Sequence, residues 1–369
     1  MKFSFSLLLS LAFAVNTFAQ VDATIDLNGT SRSYTYYVPA NLPANQAVPL
    51  VFVLHGTTQT GNGIMDISNF NELADANQFI VVYPDGVGNA WNVGIGAAGS
   101  DADDLGFIEL LVETFTNNFN IDSSRLYSCG FSAGGYMSYR LACESSFCFA
   151  AVGSVGGTMN ESIVSACNPL FSSSVICIHG TSDLVVSYDG SAIAGNSVPQ
   201  VLQFWSTELG CDAVPSIENL PNISFIDFSS VERHTYLNCS GESDLIHLKV
   251  IGGGHQWPGT DALLGGIGVV NQDINASAEI WNFFSSKSCD INTSIVDVEI
   301  SESRLYPNPA SDVLYYTGNQ NTNFQLINYQ GQLVLEGKYQ GSIDLGALES
   351  GIYFFITHDG KREKIIITH

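Results

Sequence analysis

The feature that most constrains the fold is a regular alternation of short apolar runs with helix-like segments, which continues to about residue 284. The apolar runs are rich in β-branched residues and end in turns, as in VPLVFVLHG (48–56) and FIVVYPDG (79–86). Segments with helical spacing, such as DDLGFIELLVETFTNNF (103–119), lie between them. This alternation predicts an α/β fold whose mostly parallel sheet is covered on both faces. We expect SRSYTYYVPA (31–40) to be an antiparallel edge strand.

The pattern changes after Cys289, where apolar residues begin to alternate with period two and Asn-Gly-type turns separate the runs. Asp359-Gly360 is a strong hairpin signal. A small all-β sandwich is therefore expected at the carboxyl end. The predicted parts after the amino-terminal segment are a first domain of residues 20–287, a linker of residues 288–303 and the sandwich of residues 304–369.

The amino-terminal residues have the pattern of an export signal. Lys2 precedes an apolar run, residues 5–15, that is too short to span a bilayer, and Ala19 ends a possible cleavage site. We expect residues 1–19 to be a signal peptide and the protein to be secreted, either extracellular or on the cell surface. No later segment has about 18 uninterrupted apolar residues, so no membrane span is expected.

Charge and cysteine content narrow the possible functions. The net charge of -24, with only 12 Lys and Arg residues, argues against binding nucleic acid or anionic lipid. Neutral polymers or small neutral esters suit such a chain better, although solubility or life in salt explains the acidity without any reference to a substrate. Eight cysteines in an exported chain allow disulfides, and we expect Cys143–Cys148 and Cys211–Cys239. The cysteines expected to be buried free thiols, because they lie in apolar strand-like runs, are Cys129 and Cys177.

A candidate nucleophile lies in SCGFSAGGY (128–136), where Ser132 is the centre of a G-x-S-x-G pattern. The motif is short and would decide nothing alone in a chain with 35 glycines. Its context is specific, because a strand-like run precedes it and a helix-like run follows it. A strand-turn-helix of this kind projects the serine hydroxyl above the sheet as a nucleophile elbow.

A serine hydroxyl needs a histidine base, which in turn needs a carboxylate to orient it. Among the histidines, His255 is favoured because it follows an apolar strand in the glycine-rich loop IGGGHQWPG. His179 ends a strand and is expected to pack or to fix a loop, and His234 lies in a polar stretch without an evident partner. His247 is set aside as a residue on a strand face.

The expected acid is Asp183 in HGTSDLVV, with Asp189 as the second choice. The chain order Ser132, Asp183, His255 is the order that an α/β-hydrolase requires. No cofactor or metal is expected, since the chain has no C-x-x-C pair and the triad needs neither.

An oxyanion hole requires backbone N–H donors that point at the developing negative charge. One is expected from Ala133, the residue after the nucleophile. The other should come from the loop LHGTTQTG after the third strand, with Thr57 as the first candidate and Thr58 as the second. His55 is expected to shape this loop, and a structural role is as good an interpretation as a catalytic one.

The motifs HGTTQTG, WNVG, CGFSAGGYMSYRLAC, HGTSDLVVSY and GGGHQWPG together resemble those of the secreted polyhydroxybutyrate depolymerase and feruloyl esterase family, which has carbohydrate esterase family 1 members. The resemblance covers about residues 33–284. It implies an α/β-hydrolase fold, metal-independent ester hydrolysis and a triad of Ser132, Asp183 and His255. Many members carry a Cys-Cys pair where this chain has Ala97-Ala98.

The carboxyl-terminal stretch, with RLYPNPASDVLYY, ESGIYFFI and KREKIIITH, resembles the sorting domain of the bacterial type IX secretion system. The resemblance covers about residues 304–369. It implies that secretion machinery is a partner and that the protein is then released or attached to the surface. The alternative is a structural or carbohydrate-binding sandwich.

Three aromatic residues beside the catalytic segments are candidates for an acyl or sugar platform, namely Trp91, Phe131 and Trp257. Trp205 and Trp281 fall within helical patterns and are expected in the core. The motifs HQWPG and DINAS favour esters linked to plant polysaccharides, of feruloyl or acetyl type. The alternatives are depolymerisation of polyhydroxybutyrate and, more remotely, polymer binding by a catalytically inactive hydrolase scaffold.

Overall fold

The computed structural model describes residues 20–43, 45–94, 99–192, 194–261, 267–289, 305–316, 322–328, 332–357 and 362–368. The predicted signal peptide, Ala97-Ala98 and nearly all of the predicted linker lie outside these residues. The chain divides into two compact units, Met1–Asp290 and Ile291–His369. Within the described residues, no helix is long and apolar enough to cross a membrane.

The first unit is built on a ten-stranded sheet in the order β1-β2-β4-β3-β5-β6-β7-β10-β9-β8. The six strands from β4 to β10 in this order are mutually parallel, and two antiparallel strands flank them on each side. The predicted α/β fold is thus confirmed. The strands are β1 (Val21–Leu27), β2 (Thr30–Tyr37), β3 (Val48–Leu54), β4 (Ile80–Pro84), β5 (Ile121–Phe131), β6 (Phe149–Val155), β7 (Ser174–Gly180), β8 (Ser216–Asn219), β9 (Ser230–Tyr236) and β10 (Leu245–Ile251).

Helices cover both faces of this sheet, as the continuous apolar strands predict. Along β3, Leu50 and Phe52 belong to one buried apolar cluster, whereas Val51 and Val53 belong to a second one on the opposite face. The helices are α1 (Gly61–Ser68), α2 (Phe70–Asn77), α3 (Asp104–Asn118), α4 (Ala133–Glu144), α5 (Glu161–Ala166), α6 (Val198–Glu208) and α7 (Ala276–Ser285).

The outer strands differ from expectation. Strand β2, which contains most of the predicted edge strand, pairs with β4 on one side and with β1 on the other, so it is not an edge. Strands β8 and β9 were not predicted from the sequence. All four residues of β8 are exposed, and an exposed strand lacks the apolar run by which a central strand is recognised.

Three disulfides stabilise the first unit, and one of the two predicted pairings is wrong. Cys143 pairs with Cys167 and Cys148 pairs with Cys289, not with each other. Cys143 lies in α4 while Cys148 directly precedes β6, so nearness in sequence gave the wrong partner. The other cysteine predictions are confirmed: Cys211 pairs with Cys239, and Cys129 and Cys177 are buried free thiols.

The pairing of Cys148 with Cys289 bears on where the first unit ends. Cys289 lies two residues beyond the predicted domain end at Lys287, and its amide donates to the carbonyl of Ser124. The first compact unit therefore includes Cys289.

The second unit is all-β, as predicted. It has a three-stranded sheet, β11-β12-β15, and a four-stranded sheet, β14-β13-β16-β17, whose described pairings are antiparallel. Both sheets contribute to one buried apolar cluster, which includes Leu314 and Phe355. The strands are β11 (Leu305–Tyr306), β12 (Val313–Tyr316), β13 (Asn323–Asn328), β14 (Leu333–Lys338), β15 (Ile343–Asp344), β16 (Gly351–Thr357) and β17 (Arg362–Ile367).

Candidate active site

Ser132 lies in the sharp turn between β5 and α4, at φ 53° and ψ −119°. A non-glycine residue in this region carries about 1–3 kcal/mol of strain, which the surroundings must hold in place. The Ser132 amide donates to the Val155 carbonyl at 2.8 Å. A Cβ at Gly130 would overlap the backbone of Gly134, and one at Gly134 would overlap that of Leu54. The glycines of the motif therefore permit the close approach of strand and helix that a nucleophile elbow requires.

His255 and Asp183 meet at the same edge of the sheet, where the parallel strands β10 and β7 end. His255 Nδ1 lies 2.7 Å from Asp183 Oδ2, and both side chains are buried. The His255 ring packs against Phe131, the neighbour of Ser132, with ring centroids 4.7 Å apart. The loops that carry the predicted nucleophile, acid and base thus lie next to one another. The carboxylate that contacts His255 belongs to Asp183 and not to Asp189.

The Asp183 carboxylate is held by several donors. Its Oδ1 accepts the amides of Val185 and Val186 at 2.8 and 2.7 Å. Burial by itself would raise the pKa of Asp183, but hydrogen bonds from His179 and His255 outweigh it and hold that pKa well below its usual range. The carboxylate therefore stays ionised and can orient the Nδ1–H of His255.

His179 lies beside the proposed acid, a contact that was not predicted. Its Nε2 lies 2.8 Å from the Val186 carbonyl and 3.4 Å from Asp183 Oδ2. The contact with Val186 agrees with the expected role of His179 in fixing the loop. The spacing of four residues between His179 and Asp183 in HGTSD is the signal that could have indicated the contact.

His55 has a structural role in the loop that follows β3. Its Nδ1 lies 2.8 Å from the Gly56 carbonyl, and its Nε2 accepts the Gly86 amide at 2.9 Å. These partners require the neutral tautomer with the proton on Nδ1. Burial lowers the pKa of His55, which favours the same neutral form. Trp91 Nε1 also donates to the His55 carbonyl at 2.8 Å. Both the side chain and the backbone of His55 therefore hold the loop in place.

The loop after β3 comes directly against the nucleophile. A Cβ at Gly56 would lie 3.2 Å from the Phe131 ring and 3.4 Å from Ser132 Cβ. The Thr58 amide already donates to the Asn89 carbonyl at 2.8 Å, so it is not available to a substrate. Thr57 is thus the better placed of the two predicted donors in this loop.

The three aromatic candidates for a substrate platform are almost fully buried, which contradicts an open platform. Trp91, Phe131 and Trp257 are 0%, 3% and 1% exposed. Trp257 Nε1 donates to Ser277 Oγ at 3.0 Å, and Trp91 is bound to the loop after β3. Phe131 packs against His255 with the two ring planes tilted by 38°. The predicted core residues Trp205 and Trp281 are buried as expected.

His234 and His247 make contacts outside the triad. His234 is on β9, with Nε2 2.9 Å from Glu232 Oε2. His247 is fully buried on β10, between the Cys177 carbonyl and the Tyr188 hydroxyl, each 3.1 Å away. Burial lowers the pKa of His247 to about 3. Within the described ranges, no cluster of three or more His, Cys, Asp or Glu side chains could hold a metal ion.

Comparison with known proteins agrees with the fold. Residues 32–202 match the family described as esterase PHB depolymerase. The first unit is thus similar to ester hydrolases. Its fold is also found in an acetyl xylan esterase from Aspergillus awamori, with a TM-score of 0.52 at 19% identity over 72% of this chain and 99% of that one. Residues 304–368 match the secretion system C-terminal sorting domain, which indicates secretion.

Curated relatives are also similar to the first unit. A putative esterase, NocK, of Nocardia uniformis subsp. tsuyamanensis is 28% identical over 63% of this chain and 72% of its own length. A bifunctional acetylxylan esterase/xylanase, XynS20E, of Neocallimastix patriciarum is 26% identical over 71% of this chain, and a feruloyl esterase B of Piromyces equi is 27% identical over 59%. The matches span only 34% and 41% of these last two proteins, less than two thirds of their lengths.

Proposed function

We propose that the protein is a serine carboxylic-ester hydrolase that acts through a triad of Ser132, His255 and Asp183. The observation that carries the proposal is the 2.7 Å contact of the buried Asp183 with His255, beside the strained turn of Ser132. An ionised carboxylate on Nδ1 leaves Nε2 of the histidine free to act as the base.

The mechanism proposed for this geometry has two halves. In acylation, Ser132 Oγ attacks the ester carbonyl, His255 accepts its proton, and the leaving alcohol then takes that proton from His255. In deacylation, His255 activates a water molecule that releases the acid. The amides of Thr57 and Ala133 are the proposed donors to the oxyanion. Ala133 is the first residue of α4, so the positive end of the helix dipole adds to its effect.

Replacement of the nucleophile tests the proposal. We expect Ser132→Ala to lower kcat on a small ester such as p-nitrophenyl acetate by roughly four to six orders of magnitude, because the variant cannot form the acyl-enzyme. Ser182→Ala, an exposed serine on the loop of the acid, is the matched control and should stay near the wild-type rate. A Ser132→Ala enzyme that keeps a tenth of the activity would remove Ser132 from the mechanism. Labelling of Ser132 by a fluorophosphonate probe would separately exclude an inactive binding scaffold.

For the substrate we propose esters linked to plant polysaccharides, of feruloyl or acetyl type. The support is the similarity to an acetylxylan esterase/xylanase and to a feruloyl esterase, together with a strongly acidic chain that suits an uncharged polymer. The measurement is hydrolysis of methyl ferulate and of acetylated xylan by the full chain, with Ser132→Ala as the blank. Release of ferulate or acetate supports the proposal, whereas no release from either substrate contradicts it.

One observation favours a second substrate, a water-insoluble polyester such as polyhydroxybutyrate. Four apolar side chains on the connection between β8 and β9 are 69–88% exposed, which is unusual for such residues. Strand β9 begins beside the end of β10, so this connection lies at the same edge of the sheet as His255. Clearing of a polyester suspension without release of ferulate or acetate would favour this substrate. The exposed residues are Ile223, Phe225, Ile226 and Phe228.

We also propose that the second unit engages secretion machinery. The support is the match of residues 304–368 to a sorting domain. Deletion of residues 304–369 should leave the esterase activity inside the producing cells, as measured by activity in medium and cell fractions. Undiminished activity in the medium would contradict the role in sorting and would favour a structural or carbohydrate-binding domain.

A further inference from the structure

Two buried side chains behind the triad lack hydrogen-bond partners among the described residues. They are His179, through its Nδ1, and Gln256, through both atoms of its amide group. Each side chain belongs to a residue that is less than 5% exposed. A buried polar atom without a partner is strongly unfavourable, and most such atoms in native proteins are satisfied by protein groups or by ordered water. Three such atoms so close to the proposed acid and base call for a ligand.

Both side chains line the same small cavity, which lies between the ends of β7 and β10. Its volume is about 10 Å³. That is about the space needed for a single water molecule, which also requires two to four polar partners. The other lining residues include Gly253 and Gly254 of the loop that carries His255. The cavity therefore has the size and the polar groups of a one-water site.

We infer that this cavity binds one structural water molecule that links His179 to Gln256, and that these two side chains are positioning residues for Asp183. The inference rests on the proposed role of Asp183 in the triad. The His179 Nε2 faces the Val186 carbonyl at 2.8 Å, and a carbonyl only accepts, so the neutral ring carries its proton on Nε2. Nδ1 is then an acceptor, and the water molecule donates a hydrogen bond to it. The same water molecule makes its remaining hydrogen bonds, as donor and as acceptor, with the Gln256 amide group.

The water fixes the ring plane of His179 and so keeps the Nε2–H directed at the segment of the acid. In this position Nε2 is shared between the Val186 carbonyl and Asp183 Oδ2, which is 3.4 Å away. A donor at this distance draws negative charge from the carboxylate that also receives His255. Without this donor, more negative charge faces His255, so the base is protonated more readily. As the pH is lowered, the variant then loses activity at a higher pH than the wild type does.

The charged and titratable groups around this network come from several elements. His255 faces Asp183 from the loop after β10, and Tyr136 of α4 is near enough for the Asp183 charge to contribute to raising its pKa. The Tyr188 ring lies 6.0 Å from His179, and His247 of β10 is buried beside both. Burial keeps Tyr188 and His247 uncharged at neutral pH, which leaves His179 and His255 as the groups that act on the acid.

The first test is direct and needs no variant. A crystal structure of the full chain at about 1.5 Å resolution should show one ordered water within hydrogen-bond distance of His179 Nδ1 and of the Gln256 amide. A cavity without electron density overturns the water site.

The second test separates positioning from packing by kinetics. Gln approximates the position of the His Nε2 donor, whereas Asn is too short to reach it, so His179→Gln and His179→Asn are a matched pair. We expect His179→Asn to move the acidic limb of the kcat/KM profile upward by about half a pH unit to one unit and to lower kcat roughly tenfold at unchanged KM. His179→Gln should keep the wild-type limb. Gln256→Met, which retains the volume without the amide, should lower kcat roughly three- to tenfold.

The outcomes distinguish this inference from the proposed function. If His179→Asn is folded, as judged by its thermal melting, and has the wild-type pH profile, then His179 is not a positioning residue. In that event an inactive Ser132→Ala would still support the serine mechanism. An active Ser132→Ala would overturn the proposed function by itself, whatever the crystal structure shows in the cavity.

Discussion

The disulfide between Cys148 and Cys289 should stabilise the first unit more than either of the others. It joins residues 141 positions apart, whereas Cys143 and Cys167 are separated by 24. In the chain-entropy relation, closing the longer loop in the unfolded state is worth about 5 kcal/mol, and closing the shorter one about 3.4 kcal/mol. The paired replacement Cys148→Ala with Cys289→Ala should therefore lower the free energy of unfolding by about 1.5 kcal/mol more than Cys143→Ala with Cys167→Ala.

The assay is equilibrium unfolding in guanidinium chloride, followed by tryptophan fluorescence, for the wild type and the two double variants. Double replacement leaves no unpaired thiol from the broken bond, and both variants lose the same atoms. If the variant without Cys148 and Cys289 is as stable as the variant without Cys143 and Cys167, or more stable, the loop-length reasoning is refuted. A chain that ends at Lys287 should lose at least as much, because it lacks Cys289 together with the hydrogen bond from its amide to Ser124.

Three further predictions concern buried ionisable groups. Asp183→Asn should lower kcat by about 10⁴-fold with little change in KM, because the amide cannot hold the required tautomer of the base; a loss below tenfold in steady-state kinetics would contradict this. The pKa of His247 is about 3 in the folded protein against 6.5 for the free side chain, so its contribution to stability is complete above pH 6.5 and is lost as the pH falls towards 3. Between pH 7 and pH 5 the wild type should lose about 2 kcal/mol more than His247→Gln in urea unfolding, and equal losses would show that His247 is not responsible. Arg32→Met should destabilise the protein by about 3–5 kcal/mol, because the buried Asp104 loses the partner that lies 2.6 Å away, and adding Asp104→Asn should recover part of the loss in thermal melts.

The sequence located the turn of Ser132 and the two loops that bring Asp183 to His255, because strands and turns carry strong local signals. Gly130 and Gly134 mark the turn at Ser132, since neither position has room for a side chain. Asp183 and His255 each follow a strand, and the ends of parallel strands gather at one edge of a sheet. The fold class followed from the same strands.

Contacts between distant segments could not be predicted from local patterns. Cys148 meets Cys289 only because β6 begins where α7 ends, and no local signal records that meeting. Trp91 and Trp257 looked available for substrate because they lie beside catalytic segments in sequence. Their burial depends on how the loops fold over, and each indole N–H has a partner in another part of the chain.

The bond between Cys148 and Cys289 also bears on how the first unit responds to mechanical tension. A pull on the chain beyond residue 289 passes through the sulfur atoms to Cys148, at the start of β6 in the middle of the sheet. The residues between these two cysteines, including α7 and the loop of His255, form a closed loop that carries none of this load. Traction on the chain after residue 289 would thus pass to Cys148 and bypass the covalent segment that holds the acid and the base.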